Sequence, residues 1–350
     1  MKIEKVDLRV ASETKNIDMF LENNPGSSIF HTSDWNKVVT EVFNTDFFYL
    51  VAKENDNIIG VMPCHLVTQC HCHHICYCPP RIYEVSYGGP VAEGDNQRQA
   101  NICRKLVSAA GKTKLGIAVS LFNSPENTSW TEEVCPQSNG NTWDRKAFET
   151  AYVDMSMSLE DIWTKSINSK KRNMIRKAQK NQVTVEFGGL EKLDAYYSIM
   201  QQMTEQTGVK FQIKEYYRRI MEAFAHKDMA RIYLSKYMGK YLSGGIFLKY
   251  KQICYHWHGA TGSGIRNMGQ GELIQWHIIQ WAKESGCRWY DLVGVEREKM
   301  PTLARFKMSF TKNLVPFHRV RYRRLVDALA RKVSHAVLPS DNHMNKLKRA

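Results

Sequence analysis

The pattern of apolar and polar positions from about residue 255 to residue 310 predicts a strand, a glycine-rich turn, a helix and a second strand, and this segment holds most of the candidate chemistry of the chain. Alternation over residues 253–258 predicts a strand. A glycine-rich turn over residues 259–271 follows, and the apolar positions of residues 272–284 recur at helical spacing. A second strand is predicted at residues 288–293. A glycine loop between a strand and a helix presents backbone N–H groups at the helix N-terminus, which suits a phosphate or a developing oxyanion.

The first half of the chain shows a similar order of elements. Apolar runs at residues 47–52 and 58–63 predict a β-hairpin, and a helix and a buried strand follow further on. Three positions recur at one constant spacing in the second half: Tyr49, Leu50 and Gly60 correspond to Tyr233, Leu234 and Gly244. This pattern predicts an internal duplication. The alternative is two unrelated α/β segments that share a hairpin.

We therefore predict an α/β (α+β) fold with two tandem domains, each a mixed sheet flanked by helices. The length of 350 residues also favours two domains. We place the first domain at residues 1–150 and the second, which contains the glycine loop, at residues 151–320. Residues 321–350 are expected to form a basic helix and a frayed tail.

The charge of the chain indicates what it binds. The formal net charge is +14 and the isoelectric point about 9.3, which favours nucleic acid, an anionic membrane or phosphorylated small molecules without choosing among them. The N-terminus lacks the apolar region of a signal peptide, and no apolar run approaches the roughly 20 residues that span a bilayer. We expect a cytoplasmic protein, with the inner face of the membrane as an alternative location.

The nine cysteines are expected to be free thiols, as in other proteins of a reducing compartment. Between Cys64 and Cys78 they alternate with histidines, which suggests zinc as a ligand. Neighbours two apart on a strand, however, point in nearly the same direction and do not easily surround one ion. The usual zinc-knuckle spacing is also absent, so we expect no metal.

Five motifs occur in a fixed order along the chain: residues 30–35, the turn Tyr87-Gly88-Gly89-Pro90, the helix Arg172-x3-Arg176-Lys177-Ala178, the strand end Tyr290-Asp291-Leu292-x-Gly294, and the pair Phe306-Lys307. In this order and spacing they resemble the Fem-type aminoacyltransferases and their relatives in the GNAT superfamily. The resemblance covers about residues 25–320. It implies two tandem GNAT-like domains, in agreement with the internal repeat.

The resemblance also implies transfer of an acyl group to an amine. Fem-type enzymes take an aminoacyl group from aminoacyl-tRNA and extend the peptide of a cell-wall precursor, whereas other relatives use acyl-CoA. Here Arg266-x-x-Gly269-x-Gly271 matches the GNAT pyrophosphate loop, which is tied to CoA, so the donor, acyl-CoA or aminoacyl-tRNA, stays open. Gln212 stands where Fem-type proteins often have an arginine that holds a substrate phosphate, so a nucleotide-linked acceptor stays open as well. The expected acceptor is an amine of an amino sugar or peptide in an envelope precursor.

Three residues are candidates for catalysis. The resemblance assigns Lys307 to stabilisation of an oxyanion, and a solvated lysine is the alternative. Asp291 ends a strand at the carboxyl edge of the predicted sheet, so it is a candidate base for the attacking amine, or else a capping or salt-bridged aspartate. His256 shares a strand face with His258 and is a second candidate base, or else a structural histidine.

Further candidates concern binding. The candidate donor-binding residues are Arg266, Gly269, Gln270 and Gly271. The candidate substrate-binding residues are Trp35, Arg176, Tyr216 and His258. For Trp35, which would line an acceptor groove, core packing is the favoured alternative. Basic runs at residues 170–180 and 319–324 are candidates for contact with tRNA or an anionic membrane, and are otherwise solvated faces. An alternative of a different class is a non-catalytic basic protein of GNAT-like fold that contacts RNA or an anionic membrane.

Overall fold

The structure is a computed structural model, and it describes residues 1–70, 73–80, 83–113, 117–135, 142–264 and 267–323. Within these ranges, thirteen strands form one mixed sheet. The strands are β1 (Lys2–Val6), β2 (Asp46–Glu54), β3 (Asn57–Cys70), β4 (His73–Cys78), β5 (Val91–Ala92), β6 (Ile117–Phe122), β7 (Trp143–Asp154), β8 (Thr184–Gly188), β9 (Ala230–Tyr237), β10 (Lys240–Tyr250), β11 (Ile253–Thr261), β12 (Trp289–Asp291) and β13 (Leu314–Arg323). The helices are α1 (Ala11–Asn23), α2 (Ser33–Phe43), α3 (Asn96–Ala110), α4 (Ser129–Val134), α5 (Leu159–Asp161), α6 (Ser169–Lys180), α7 (Leu193–Thr207), α8 (Lys214–Phe224), α9 (Gln270–Glu284) and α10 (Pro301–Met308).

The order of elements repeats between the halves. Each half runs strand, two helices, three strands, helix, strand, short helix and strand, with β5 as a short extra strand beside β3. The two predicted hairpins are β2–β3 and β9–β10. In each half, the strand after the long helix pairs in parallel with the last of the three consecutive strands. β6 pairs with β4 in the first half, and β12 pairs with β11 in the second. The repeat that the sequence predicts is therefore present in the order and pairing of the elements.

The final strands of the two halves exchange places in the sheet. β13 pairs with β6 of the first half, where Val320 lies opposite Leu121. β7 pairs with β12 of the second half, where Val153 lies opposite Tyr290. β7 and β13 also pair with each other, so one continuous sheet results. The domain boundary that we predict after residue 150 falls within β7 and stays a prediction.

Burial accounts for the sequence pattern of the central elements. In β10, residues 242–248 are all buried, as expected for a strand with both faces covered. α8 instead buries one face, formed by Tyr216, Tyr217, Ile220, Met221 and Phe224, as an amphipathic helix does. This face packs against α2, so the aromatic core between α2 and α8 joins the two halves.

No helix in the described part of the chain is both long and apolar enough to cross a membrane. The basic helix and tail predicted at residues 321–350 lie outside the described residues, except for residues 321–323, which end β13. Arg319 of the basic run predicted at residues 319–324 lies within β13, 3.6 Å from Asp144. The described part of this run therefore belongs to the shared sheet.

Candidate functional site

Asp291 ends β12 where the two halves meet, and it has no exposed surface. Tyr87 and Thr150, both from the first half, donate hydrogen bonds to its two carboxylate oxygens at 2.8 and 2.5 Å. The backbone N–H of Val293 donates to the same oxygen as Thr150, at 2.7 Å. Two of the sequence motifs, which lie in different halves, therefore meet at one carboxylate.

The two residues that follow Leu292 form a strained turn. Val293 and Gly294 have φ angles of 50° and 70°, a left-handed region that costs a β-branched residue about 1–3 kcal/mol. The Gly294 N–H donates to Thr150 Oγ1 at 3.0 Å. The carbonyl oxygens of Val293 and Gly294 accept hydrogen bonds from Lys307 Nζ at 2.5 and 2.9 Å. The turn thus fixes the position of the Lys307 ammonium, and the residue as a whole is only 8% exposed.

The charged groups of this cluster shift one another's pKa values. Burial raises the pKa of Asp291 to about 6, although hydrogen bonds from Thr150 and Tyr87 and the charge of Lys307 oppose the rise. Burial, with a smaller contribution from the charge of Lys307, lowers the pKa of His256 to about 3. At neutral pH Asp291 is therefore mainly a carboxylate and His256 a neutral imidazole.

Lys307, Asp291 and His256, the three candidate catalytic residues, thus lie in one cluster. Asp291 is enclosed and its oxygens are hydrogen-bonded, an arrangement that matches the capping alternative better than the role of a base. His256 keeps some exposed surface, while its Nδ1 is buried and has no hydrogen-bond partner among the described residues. The identity of the proton acceptor, His256 or Asp291, stays a prediction.

His258 belongs to a second polar cluster between the halves. Its Nε2 lies 2.8 Å from Glu84 Oε2, and the Tyr217 hydroxyl donates to the same oxygen at 2.8 Å. Trp257 Nε1 donates to the backbone carbonyl of Glu84, also at 2.8 Å. Three side chains of the second half therefore contact one residue of the first half. A direct contact between His258 and substrate stays a prediction.

Trp35 and Tyr216 lie in the core, as the packing alternative for Trp35 expects, and a contact of either residue with substrate stays a prediction. Neither has exposed surface. The Trp35 ring packs edge-on against Phe30 and Trp257, with centroids 4.7 and 5.1 Å away. The Tyr216 hydroxyl donates to the backbone carbonyl of Tyr83 at 2.9 Å. Aromatic packing across the two halves determines both positions.

The glycine loop before α9 satisfies part of its own backbone. The Met268 N–H donates to Gln270 Oε1 at 2.8 Å, and the Gly269 N–H donates to Asn267 Oδ1 at 3.0 Å. Gly269 has a φ of 87°, and a Cβ there would overlap the carbonyl oxygen of Met174 in α6. Glycine is thus required at this position by the close approach of α6, and two loop amides are already bonded to the loop's own side chains.

Gly271 is the open part of this loop. A Cβ at Gly271 would meet no atom within 4 Å, and amides in the first turn of a helix have no partner within the helix. An anion site at the loop would therefore use this first turn. Arg266, the predicted charged member of the site, lies outside the described residues.

We expect Gly271→Val to weaken binding of a phosphate-bearing donor about tenfold, because the side chain would cover amides worth about one charge-assisted hydrogen bond. The space around Gly271 predicts an unchanged melting temperature. Calorimetric titration measures the affinity, and Gly271→Ala is the smaller control. Unaltered donor affinity in Gly271→Val would exclude the first turn of α9 as a binding site.

α6 covers the glycine loop and uses part of the predicted basic run to do so. Lys171 pairs with Glu272 of α9 at 2.6 Å, and Lys177 Nζ donates to the Asn267 carbonyl at 3.0 Å. Arg172 donates to three backbone carbonyls of the segment before α6. The other cations of the run are exposed: Lys170, Arg176 and Lys180. Half of this run therefore holds α6 in place, and the exposed half stays a candidate for contact with a polyanion.

The described part of the cysteine cluster is a group of three packed thiols. Cys76 Sγ lies 3.8 Å from Cys78 Sγ, which lies 3.9 Å from Cys64 Sγ. All three are enclosed by apolar side chains. Structural zinc takes four ligands, and the described residues supply three sulfur atoms here. Residues 71–72 of the sequence cluster lie outside the described residues, and the expectation of no metal stays a prediction.

Sequence comparisons find two similarities. The model of the acetyltransferase (GNAT) domain matches residues 165–308. The chain is 31% identical over 147 residues to UDP-N-acetylmuramoylpentapeptide-lysine N(6)-alanyltransferase of Weissella viridescens. This match covers 41% of the chain and 43% of that protein, so it spans less than half of the relative's length.

Structural comparisons cover nearly the whole chain. The crystal structure of FemX is similar with a TM-score of 0.71 at 14% identity, over 96% of this chain and 100% of that one. A tandem GNAT protein from the clavulanic acid biosynthesis pathway is similar with a TM-score of 0.50 at 10% identity, over 92% and 98% of the two chains. The predicted fold of tandem GNAT-like units and the resemblance to Fem-type proteins are confirmed.

No sequence pattern marks Thr150 or Glu84 as a residue of the site. Thr150 lies in an ordinary strand pattern, and Glu84 lies in a loop between motifs. Glu84 has a φ of 60°, but positive φ at a non-glycine residue is not readable from sequence. Tyr87 was part of a motif, although its contact with Asp291 only becomes apparent in the fold.

Proposed function

We propose that this protein is an aminoacyltransferase that transfers an activated aminoacyl group to an amine of a cell-envelope precursor. The main support is the turn at Val293 and Gly294, which holds the Lys307 ammonium near the neutral His256. A fixed cation stabilises the oxyanion of a tetrahedral intermediate, and a neutral imidazole accepts a proton. Acyl transfer to an amine uses both functions.

In the proposed reaction the unprotonated amine of the acceptor attacks the ester carbonyl of the donor. The C–N bond forms, and the carbonyl oxygen becomes an oxyanion near Lys307. The ring of the partly exposed residue His256 takes the proton from the amine, since the negative charge of the intermediate opposes that of Lys307 and raises the proton affinity of the ring. The intermediate then collapses, the C–O bond breaks, and the proton passes to the leaving hydroxyl.

We infer that the donor is aminoacyl-tRNA. A CoA pyrophosphate would need the loop amides before α9, but those of Met268 and Gly269 are bonded to loop side chains, and α6 packs over the loop. The exposed Lys170 and Lys180 of α6 supply positive charge to a nucleic acid instead.

We infer that the acceptor is an amine on the peptide of a muramoyl precursor. The relative from Weissella viridescens is named for transfer of alanine to a lysine of UDP-N-acetylmuramoyl pentapeptide. Gln212 instead of arginine implies that the phosphates of such an acceptor are held differently here. An acceptor held at the inner face of a membrane would add contact between the protein's basic surface and anionic lipid.

Calorimetric titration tests the donor. We expect charged tRNA to bind, with an affinity that falls steeply between about 50 and 200 mM salt because phosphate contacts release counterions. We expect no binding of acetyl-CoA. Transfer is then followed with a radiolabelled amino acid and UDP-N-acetylmuramoyl pentapeptide. Binding of acetyl-CoA that is lost in Gly271→Val would contradict the tRNA donor, and tRNA binding without transfer to any amine would favour a non-catalytic binding protein.

A further inference from the structure

We propose that Thr150 and Asp291 are positioning residues that hold Lys307 in place without touching the substrate. They act through the turn at Val293 and Gly294, whose carbonyl oxygens bind the Lys307 ammonium. This inference rests on the proposed function, because it concerns the cation that stabilises the oxyanion.

The turn does not form readily by itself. Val293 is β-branched and has a positive φ, which such residues rarely adopt without support from their surroundings. Both amides of the turn are bonded to the network: the Val293 N–H to Asp291, and the Gly294 N–H to Thr150. Loss of these bonds would let the turn relax and would redirect the carbonyl oxygens that face Lys307.

Burial separates the network from the substrate. Thr150 and Asp291 have no exposed surface, and Tyr87, which donates to the other oxygen of Asp291, is 1% exposed. Thr150 reaches the second half because it lies on β7, the strand that joins β12. The exchange of final strands therefore brings a residue of the first half to the turn that holds Lys307.

Thr150→Val is the test variant, because valine has the shape of threonine but removes both hydroxyl hydrogen bonds without changing the charge. Thr150→Ser restores the hydroxyl and is the conservative control. Tyr290→Phe is the matched control for burial, since it removes a buried hydroxyl one residue from Asp291 that is bonded to Gln275 instead. Tyr87→Phe is a second test variant if Thr150→Val does not fold.

The first readout is the labelling rate of Lys307 by limiting N-hydroxysuccinimidyl acetate, measured by peptide mass spectrometry with the exposed Lys312 as internal reference. We expect Lys307 to be labelled about tenfold faster in Thr150→Val than in the wild type. A tenfold change in rate corresponds to the free energy of about one lost buried hydrogen bond. In Thr150→Ser and Tyr290→Phe, Lys307 should be labelled at the wild-type rate. An unchanged rate in Thr150→Val, or an equal rise in Tyr290→Phe, would overturn the proposal.

The second readout is steady-state transfer from charged tRNA to UDP-N-acetylmuramoyl pentapeptide. We expect Thr150→Val to lower kcat about tenfold with little change in KM. Asp291→Asn should lower kcat no more than Thr150→Val does, since an amide oxygen still accepts the Val293 bond. Abolished turnover in Asp291→Asn with normal Lys307 labelling would make Asp291 the proton acceptor and overturn its positioning role. If the wild type shows no transfer, the proposed function fails, while the labelling experiment still decides the network.

Discussion

Lys307→Ala should lower kcat by about 10²–10³-fold, the usual cost of removing one group that stabilises an oxyanion. The loss should appear in kcat more than in KM, because the charge on the carbonyl oxygen develops only as the transition state is approached. Lys307 is held by two backbone carbonyls, so no other described lysine replaces it at this position. Steady-state transfer of a labelled amino acid gives both parameters.

Two variants control for effects other than the charge. Lys307→Met keeps most of the side-chain volume and removes the ammonium, so its kcat should be as low as that of Lys307→Ala. Lys312→Ala removes an exposed lysine five positions further along the chain and should be fully active. Circular dichroism and melting temperature establish that the variants are folded. Turnover of Lys307→Met close to that of the wild type would remove this lysine from the mechanism.

Trp35→Ala should destabilise the protein by about 3–5 kcal/mol, the cost typical of emptying a buried tryptophan site. The Trp35 ring is fully buried and contacts aromatic rings from both halves, including Phe30 and Trp257. Its loss leaves a cavity between α2 and α8 that rigid neighbours fill only partly. Urea denaturation followed by circular dichroism measures the change in the unfolding midpoint.

Trp163→Ala is the control for this experiment. Trp163 is only partly buried and packs on Trp276 near the surface, so its removal should cost clearly less stability. If Trp35 lined an acceptor groove instead, Trp35→Ala would keep its unfolding midpoint and raise the KM for the acceptor. That pair of results would restore Trp35 to the substrate-binding residues.

Local patterns predicted the part of the site that lies within one segment. Lys307, Asp291 and His256 were candidates from their motifs and strand positions. The structure brings them together because β11 and β12 are adjacent parallel strands and Lys307 of α10 bonds to the turn after β12. The same patterns made Trp35 and Tyr216 candidates for substrate contact, with core packing favoured for Trp35. Aromatic side chains fill a buried core and an open groove equally well, so sequence does not separate the two.

The donor loop shows a further limit. The spacing of Gly269 and Gly271 predicts a phosphate cradle, and a loop before a helix is present. The backbone amides of this loop can bind a phosphate only if no other group occupies or covers them. The side chains of Asn267 and Gln270 bond to two of them, and α6, about ninety residues earlier in the chain, packs over the loop. The two amide bonds join residues only two positions apart, whereas the cover by α6 is a contact between distant elements that no short motif encodes.

The sequence by itself determined the elements and their repeated order, because the spacing of apolar residues follows the periods of strands and helices. It also determined the likeness to Fem-type proteins through residues that stand close together in the chain. Only the tertiary structure decided that β7 and β13 change places, since sheet pairing depends on long-range contacts. The same exchange joins Tyr87 and Thr150 to Asp291, from which they are 204 and 141 residues distant, and so decides how Lys307 is held.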